Sequence, residues 1–159
     1  MMEKKQNTLY MLIGVPGSGK STWLDNQIWI KDIPIISTDR FIDAQAKLEG
    51  KTYNQVFHDY IKIATKLLEN QVLIIQANNK DAIWDQTNVS VKTRKAKLEK
   101  FSGYRKIAVF FPTPEAEELK RRLDSRDGKY IPENVMKSMI KNLEMPTLEE
   151  GFDEVWTAA

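Results

Sequence analysis

Residues 14–22 read Gly-Val-Pro-Gly-Ser-Gly-Lys-Ser-Thr and follow the apolar run Leu9-Tyr10-Met11-Leu12-Ile13. The first eight residues fit G-x-x-x-x-G-K-[ST], with Gly14, Gly19, Lys20 and Ser21 in the fixed places. A loop of this type turns its backbone N–H groups toward the phosphates of a nucleotide. Its glycines allow conformations and close approaches that side chains would block. A helix starting near Lys20 would add the positive end of its dipole. The spacing predicts that Lys20 reaches the β- and γ-phosphates of ATP or another nucleoside triphosphate, while the Ser21 hydroxyl ligates Mg²⁺. Pro16, Gly17, Ser18 and Thr22 complete the expected nucleotide contacts. The competing reading is a glycine-rich turn that matches by chance.

A phosphate held there needs somewhere to go, and two acids fall where strands are expected to end. Asp39 follows the segment Pro34–Ser37 in "IISTDRF", and Asp85 closes "AIWD". In open α/β sheets ligands sit beyond the carboxyl ends of the strands. A carboxylate in line with the γ-phosphate can take the proton of an acceptor hydroxyl, and Asp39 fits that role. Its alternative is a helix-cap aspartate before Phe41. Asp85 either associates with Mg²⁺ or orients an acceptor-binding group, with Thr87 and Asn88 as donors on the same edge. Equally, "DQTN" reads as the cap of the next helix. Arg126, beside Gly128, and Arg122, one turn earlier, are candidates for a cationic lid that closes over the donor phosphates. An ordinary exposed basic helix is the alternative. The only histidine, His58, lies within an expected helix and leaves no catalytic triad.

The elements that must position these residues alternate. Strand-like segments near 8–13, 33–37, 81–85, 106–111 and 152–156 are separated by helical stretches. The pattern predicts an α/β fold: a mostly parallel five-stranded sheet with helices on both faces and a helical lid. One segment, "VLIIQ" at 72–76, has the composition of a strand. It is assigned instead to a long helix from near Thr52, because Val56, Tyr60, Ile63, Leu67 and Ile74 recur at helical spacings. Asn78 and Asn79 supply its stop. Thr113-Pro114-Glu115 is expected to open another helix with a capping hydroxyl, and Pro132-Glu133 a further one.

A chain of 159 residues, 42% hydrophobic and 29% charged, has the length and composition of one soluble domain, residues 1–159. No apolar run reaches membrane-spanning length and no signal-peptide pattern opens the chain, which predicts a cytoplasmic location and no membrane partner. The absence of cysteine excludes disulfides and thiolate metal sites. A net charge of +2 does not by itself argue for nucleic acid. Residues 92–106, "KTRKAKLEKFSGYRK", are nevertheless strongly basic, and Arg94 with its neighbours is either a nucleic-acid contact or a solvated helix face.

The ordered set "GVPGSGKSTW", "STDRF", "WDQTN" and "LKRRLDSRDGKYIP" before "VMKSMI" resembles the P-loop kinase domain of phage polynucleotide 5′-kinases over nearly the full length. The "DQTN…R…KL" segment is also similar to the kinase-like domain of heterogeneous nuclear ribonucleoprotein U. The first resemblance implies that Lys20 and Ser21 handle ATP and Mg²⁺, and that Asp39 is the general base for a 5′-hydroxyl. It further implies that Asp85 lies at the acceptor site and that Arg126 contacts the donor phosphates. DNA or RNA 5′ ends would then be the partners, and a phage-encoded chain would act in host cytoplasm. One departure stands out. The phage family has an arginine three residues beyond its base that holds an acceptor phosphate, and this chain has Ile42. Arg40 or the Lys92–Lys97 stretch is the expected replacement. The chain also lacks the Asp-x-Asp-Gly-Thr run of the 3′-phosphatase often fused to these kinases. The leading expectation is a 5′-hydroxyl polynucleotide kinase. The alternatives are a kinase of a small alcohol or nucleoside, and a nucleotide-gated nucleic-acid-binding module without turnover.

Overall fold

Strand β1 (Thr8–Ile13) is apolar almost without interruption because it is covered on both faces. The computed structural model describes residues 5–158. From the amino end, β1 is followed by α1 (Lys20–Asp25), β2 (Ile35–Ile36), α2 (Thr38–Glu49), α3 (Tyr53–Ala77) and β3 (Ala82–Asp85). Then come α4 (Val91–Lys100), β4 (Arg105–Phe110), α5 (Ala116–Asp124), α6 (Glu133–Asn142) and β5 (Glu154–Thr157). The five strands are all parallel, in the order β2-β3-β1-β4-β5.

One face of the sheet presents Leu9, Met11, Trp84 and Phe110 to Leu68, Val72 and Ile75 of α3, to Leu98 of α4 and to Phe101 just past its end. The opposite face packs Leu12, Ile83 and Val109 under Leu24 and Ile30, with Tyr10, Trp23 and Trp156 at its margin. A third cluster, Val15, Leu119 and Met136, fastens α5 and α6 to the start of the phosphate-type loop.

The expected long helix is present. Thr52 caps α3 through a reciprocal box with Gln55, and the helix runs through "VLIIQ" to a stop at Asn78 and a left-handed Asn79. Its buried stripe differs from the one read in the sequence. Val56 is interior, but Ile63, Leu67 and Ile74 are 50%, 36% and 61% exposed, and Ala64, Leu68, Val72 and Ile75 face the core instead. Both stripes have helical spacing, so periodicity identified the helix without choosing its inner face. The helix expected near Lys20 is short: α1 stops at Asp25 and a separate 3-10 turn covers Ile28–Ile30. One further expectation is corrected: Thr113 does not cap α5, which starts at Ala116 behind Glu115 and has no side-chain cap.

Candidate active site

The strand order places β1 between β3 and β4, so the loop after β1 lies beside the carboxyl end of β3. Parallel register sets Leu12 against Asp85, and the Gly14 amide donates to the Thr87 carbonyl at 3.0 Å. These two contacts bring the sequence's glycine loop and its second acid to one edge. Beyond them, α2 starts next to β2, with Asp39 in its first turn.

The loop itself is tightly folded. A Cβ on Gly14 would lie 2.6 Å from Ser18 Oγ and 2.9 Å from Phe111 Cβ, so only glycine fits there. Gly19, at φ 105°, is the residue before α1. Lys20 Nζ folds back over the loop and donates to the carbonyls of Gly14 at 2.7 Å and Val15 at 3.0 Å. Burial pushes the Lys20 ammonium down to about 8; the Asp85 and Asp39 carboxylates pull it upward and Arg126 opposes them. Ser21 and Thr22 are exposed in the first turn of α1, where backbone amides have no carbonyl one turn earlier within the helix. Ser18 Oγ is buried without a hydrogen-bond partner. A strained glycine cradle, an orphaned hydroxyl, free first-turn amides and a lysine suit a polyphosphate.

Helix α5 lies directly on this loop. Glu118 receives Arg122 Nε at 2.9 Å, and Arg122 Nη1 donates to the Gly17 carbonyl at 3.1 Å. Arg121 also binds Glu118, and the two arginines hold its carboxyl down to about 2. Arg126, just past α5, lies close enough for its charge to act on Lys20 and on Tyr53.

Asp39 has partners from two distant segments. Tyr53 Oη, at the start of α3, donates to Asp39 Oδ1 at 2.6 Å. Lys129 Nζ lies 3.7 Å from Asp39 Oδ2 and 3.6 Å from Asp43 Oδ2, and 4.4 Å from the centre of the Tyr53 ring. Burial pushes the Tyr53 phenol up, and its hydrogen bond to Asp39 and the Asp39 and Asp43 charges add to that rise. Burial also raises the Asp85 carboxyl, while the charges of Lys20, Arg40 and Lys129 pull it down. Lys20, Asp39, Arg40, Asp85, Arg126 and Lys129 thus share one electrostatic neighbourhood. Neither Tyr53 nor Lys129 figured among the residues expected from sequence. No motif marks them; the nearest signal is Gly128, which places Lys129 at a sharp turn.

Two expected acceptor contacts are corrected. Arg94 is fully buried and not on a nucleic-acid surface. Its guanidinium pairs with Glu150, Nε to Oε1 at 2.7 Å and Nη2 to Oε2 at 3.0 Å. Its Nη1 donates to the carbonyls of Asn88, Val89 and Glu144. Asn88 is buried too, at φ 49°, with its amide nitrogen on the Leu12 carbonyl at 2.8 Å and its oxygen taken by Lys97. Both hold the turn after β3 in shape instead of facing a ligand. Lys97 likewise folds under the sheet edge, over Trp84 and onto Gln86, whose Nε2 reaches Thr38 Oγ1 at 3.1 Å. Burial lowers the Lys97 ammonium to about 8. Thr87 contributes its backbone to the loop contact above, and Arg40 remains exposed. Ile42 is wholly interior, among Ala46, Val56 and Ala64. Among the described residues, no group of three or more His, Cys, Asp or Glu side chains could hold a metal ion. No helix described is long and apolar enough to cross a membrane.

This arrangement has relatives. The chain is 26% identical to the bifunctional polynucleotide phosphatase/kinase of Schizosaccharomyces pombe (strain 972 / ATCC 24843), over 96% of its own length and 34% of that protein. It therefore spans about a third of that relative. Among solved structures it is similar to a chain of the Pnkp1/Rnl/Hen1 RNA repair complex, with a TM-score of 0.68 and 24% identity over 89% of this chain and 45% of that one. A putative kinase from Chloroflexus aurantiacus J-10-fl shares the fold at a TM-score of 0.71 and 16% identity, over 97% of this chain and 88% of that one. Residues 9–146 match the family described as AAA domain, and with the P-loop kinase fold seen here the chain belongs to that family.

Proposed function

We propose that this protein transfers the γ-phosphoryl group of ATP to the 5′-hydroxyl of DNA or RNA. The observation that carries this reading is the position of Asp39 in the first turn of α2, beyond the strand ends that also hold the phosphate loop, near enough for its charge to act on Lys20. A second carboxylate beside Asp85, placed on the α2 side of the loop, supports a base for an acceptor hydroxyl over nucleotide binding alone. Similarity to a polynucleotide phosphatase/kinase favours a nucleic-acid acceptor over a small alcohol.

In this reading the loop amides and Lys20 bind the β- and γ-phosphates. Arg122, braced by Glu118, and Arg126 balance charge on the transferring group from the lid side. Ser21 and Asp85 would hold Mg²⁺, which when bound neutralises phosphate charge. Asp39 takes the proton of the acceptor hydroxyl as its oxygen attacks phosphorus. With Ile42 interior and Arg94 committed to Glu150, the exposed Arg40, next to Asp39 in sequence, is the candidate clamp for an acceptor phosphate.

The test is transfer of labelled γ-phosphate to 5′-OH oligonucleotides, with nucleosides and small alcohols assayed alongside. Labelling of oligonucleotides above the other acceptors supports the proposal. Preference for a small alcohol or nucleoside overturns the nucleic-acid assignment. Oligonucleotide binding in the presence of ATP with no transfer to any acceptor supports the binding module instead.

A further inference from the structure

The segment between α5 and α6 carries Arg126 toward the phosphate loop and Lys129 toward Asp39, and it is fixed to the start of α3. The Asn54 amide donates to the Gly128 carbonyl at 3.0 Å. The Asn54 side chain binds both backbone groups of Tyr130, donating to its carbonyl at 3.1 Å and accepting from its N–H at 2.7 Å. Gly128 has φ 68°, and a Cβ there would come within 2.5 Å of Thr52 Cβ. The turn is thus seated against Thr52 and Asn54, the residues that flank Tyr53. Tyr53 is in turn the residue that binds Asp39.

We propose that Lys129 is a positioning residue for the Asp39 base, holding Oδ2 toward the acceptor while Tyr53 occupies Oδ1. The proposal rests on the phosphoryl-transfer reading above and names which oxygen does the work. Tyr53 Oη at 2.6 Å makes a full hydrogen bond to Oδ1. Lys129 Nζ at 3.7 Å from Oδ2 is beyond hydrogen-bond range, so it attracts that oxygen without covering its lone pairs. Asp43 Oδ2, at 3.6 Å, shares the ammonium, which therefore does not close onto Asp39 alone. The Tyr53 ring beneath the ammonium fixes its height.

The transfer step then balances as follows. The acceptor O–H proton passes to Asp39 Oδ2, and the hydroxyl oxygen forms a bond to the γ-phosphorus. The bond from that phosphorus to the bridging oxygen breaks, and its electron pair leaves with ADP. Because Arg126 and Lys129 lie on the same anchored turn, the donor-side cation and the acceptor-side base are placed together.

The experiment compares Lys129→Met, which keeps an unbranched flexible side chain but removes the charge, with Lys129→Arg. With a 5′-OH oligonucleotide as acceptor, Lys129→Met is expected to lower kcat about tenfold to a hundredfold. The KM for ATP should stay within about twofold of wild type, and Lys129→Arg should recover most of kcat. Unchanged kcat in Lys129→Met overturns the assignment. So does an equal loss of kcat and ATP affinity that Lys129→Arg fails to repair, since that pattern marks a structural role. A wild-type protein that labels no acceptor overturns the kinase reading itself and this inference with it. That result is distinct from an active wild type whose Lys129→Met variant is unimpaired.

Discussion

In the proposed reading, the donor and acceptor halves of the site are built on different principles. On the donor side, residues 14–22 form a cradle from a run of neighbours in sequence, and backbone groups supply most of its surface. The acceptor side is assembled from residues distant in the chain: Asp39 and Arg40 from α2, Tyr53 from α3, Asp85 from β3 and Lys129 from the turn after α5. Its working surface is side-chain charge. A backbone cradle serves any nucleotide, whereas side chains brought from several elements can change without altering the fold.

Asp39→Asn probes this contrast most sharply. It preserves shape but removes the proton acceptor, so transfer should fall by about 10²- to 10⁴-fold while ATP affinity, measured by calorimetry, stays close to wild type. Equal losses in both would mean that the two halves are not separable.

The next largest effect concerns stability and lies outside both halves. Arg94→Met leaves the Glu150 carboxylate, 5% exposed, without its partner and strands three backbone carbonyls. Breaking a buried pair of this kind costs about 3–5 kcal/mol, read as a lowered midpoint in urea. A variant of wild-type stability with weaker oligonucleotide binding would return Arg94 to the acceptor surface.

Arg40→Ala should act on the acceptor alone. It should raise the oligonucleotide KM and reduce the slope of log affinity against log salt by about one, with the KM for ATP unchanged. An unaltered salt slope would remove Arg40 from the acceptor path.

The smallest effect belongs to the donor half. Lys20 has its ammonium at about 8 before a nucleotide binds, and bound phosphates raise it. At pH 8 about half of the free protein lacks this proton, so ATP binding should take up about half a proton. Uptake should vanish below about pH 6.5, where Lys20 is already charged. Calorimetry in buffers of different ionisation enthalpy measures it directly.

These differences also explain what could be read in advance. The loop was legible because its function depends on local spacing. The parallel sheet followed from the alternation of strands and helices, with β1 identified by its apolar run. The inner face of α3 was not legible, because Ile63–Leu67–Ile74 and Ala64–Leu68–Val72–Ile75 are both helical stripes and only tertiary packing chooses between them. Arg94 was misplaced because its partner Glu150 lies 56 positions away and its neighbours are basic. The Tyr53–Asp39–Lys129 contact depends on where Gly128 meets Thr52, which no local pattern encodes.

The Arg94–Glu150 pair bears on where this chain can be cut. The family match ends at residue 146, four positions short of the carboxylate that neutralises a guanidinium with no solvent exposure. A polypeptide trimmed to that boundary would keep the phosphate loop, the lid and both acids, yet carry an uncompensated charge at its centre. The minimal autonomous unit is therefore longer than the recognisable one, and the turn containing Glu150 belongs inside it.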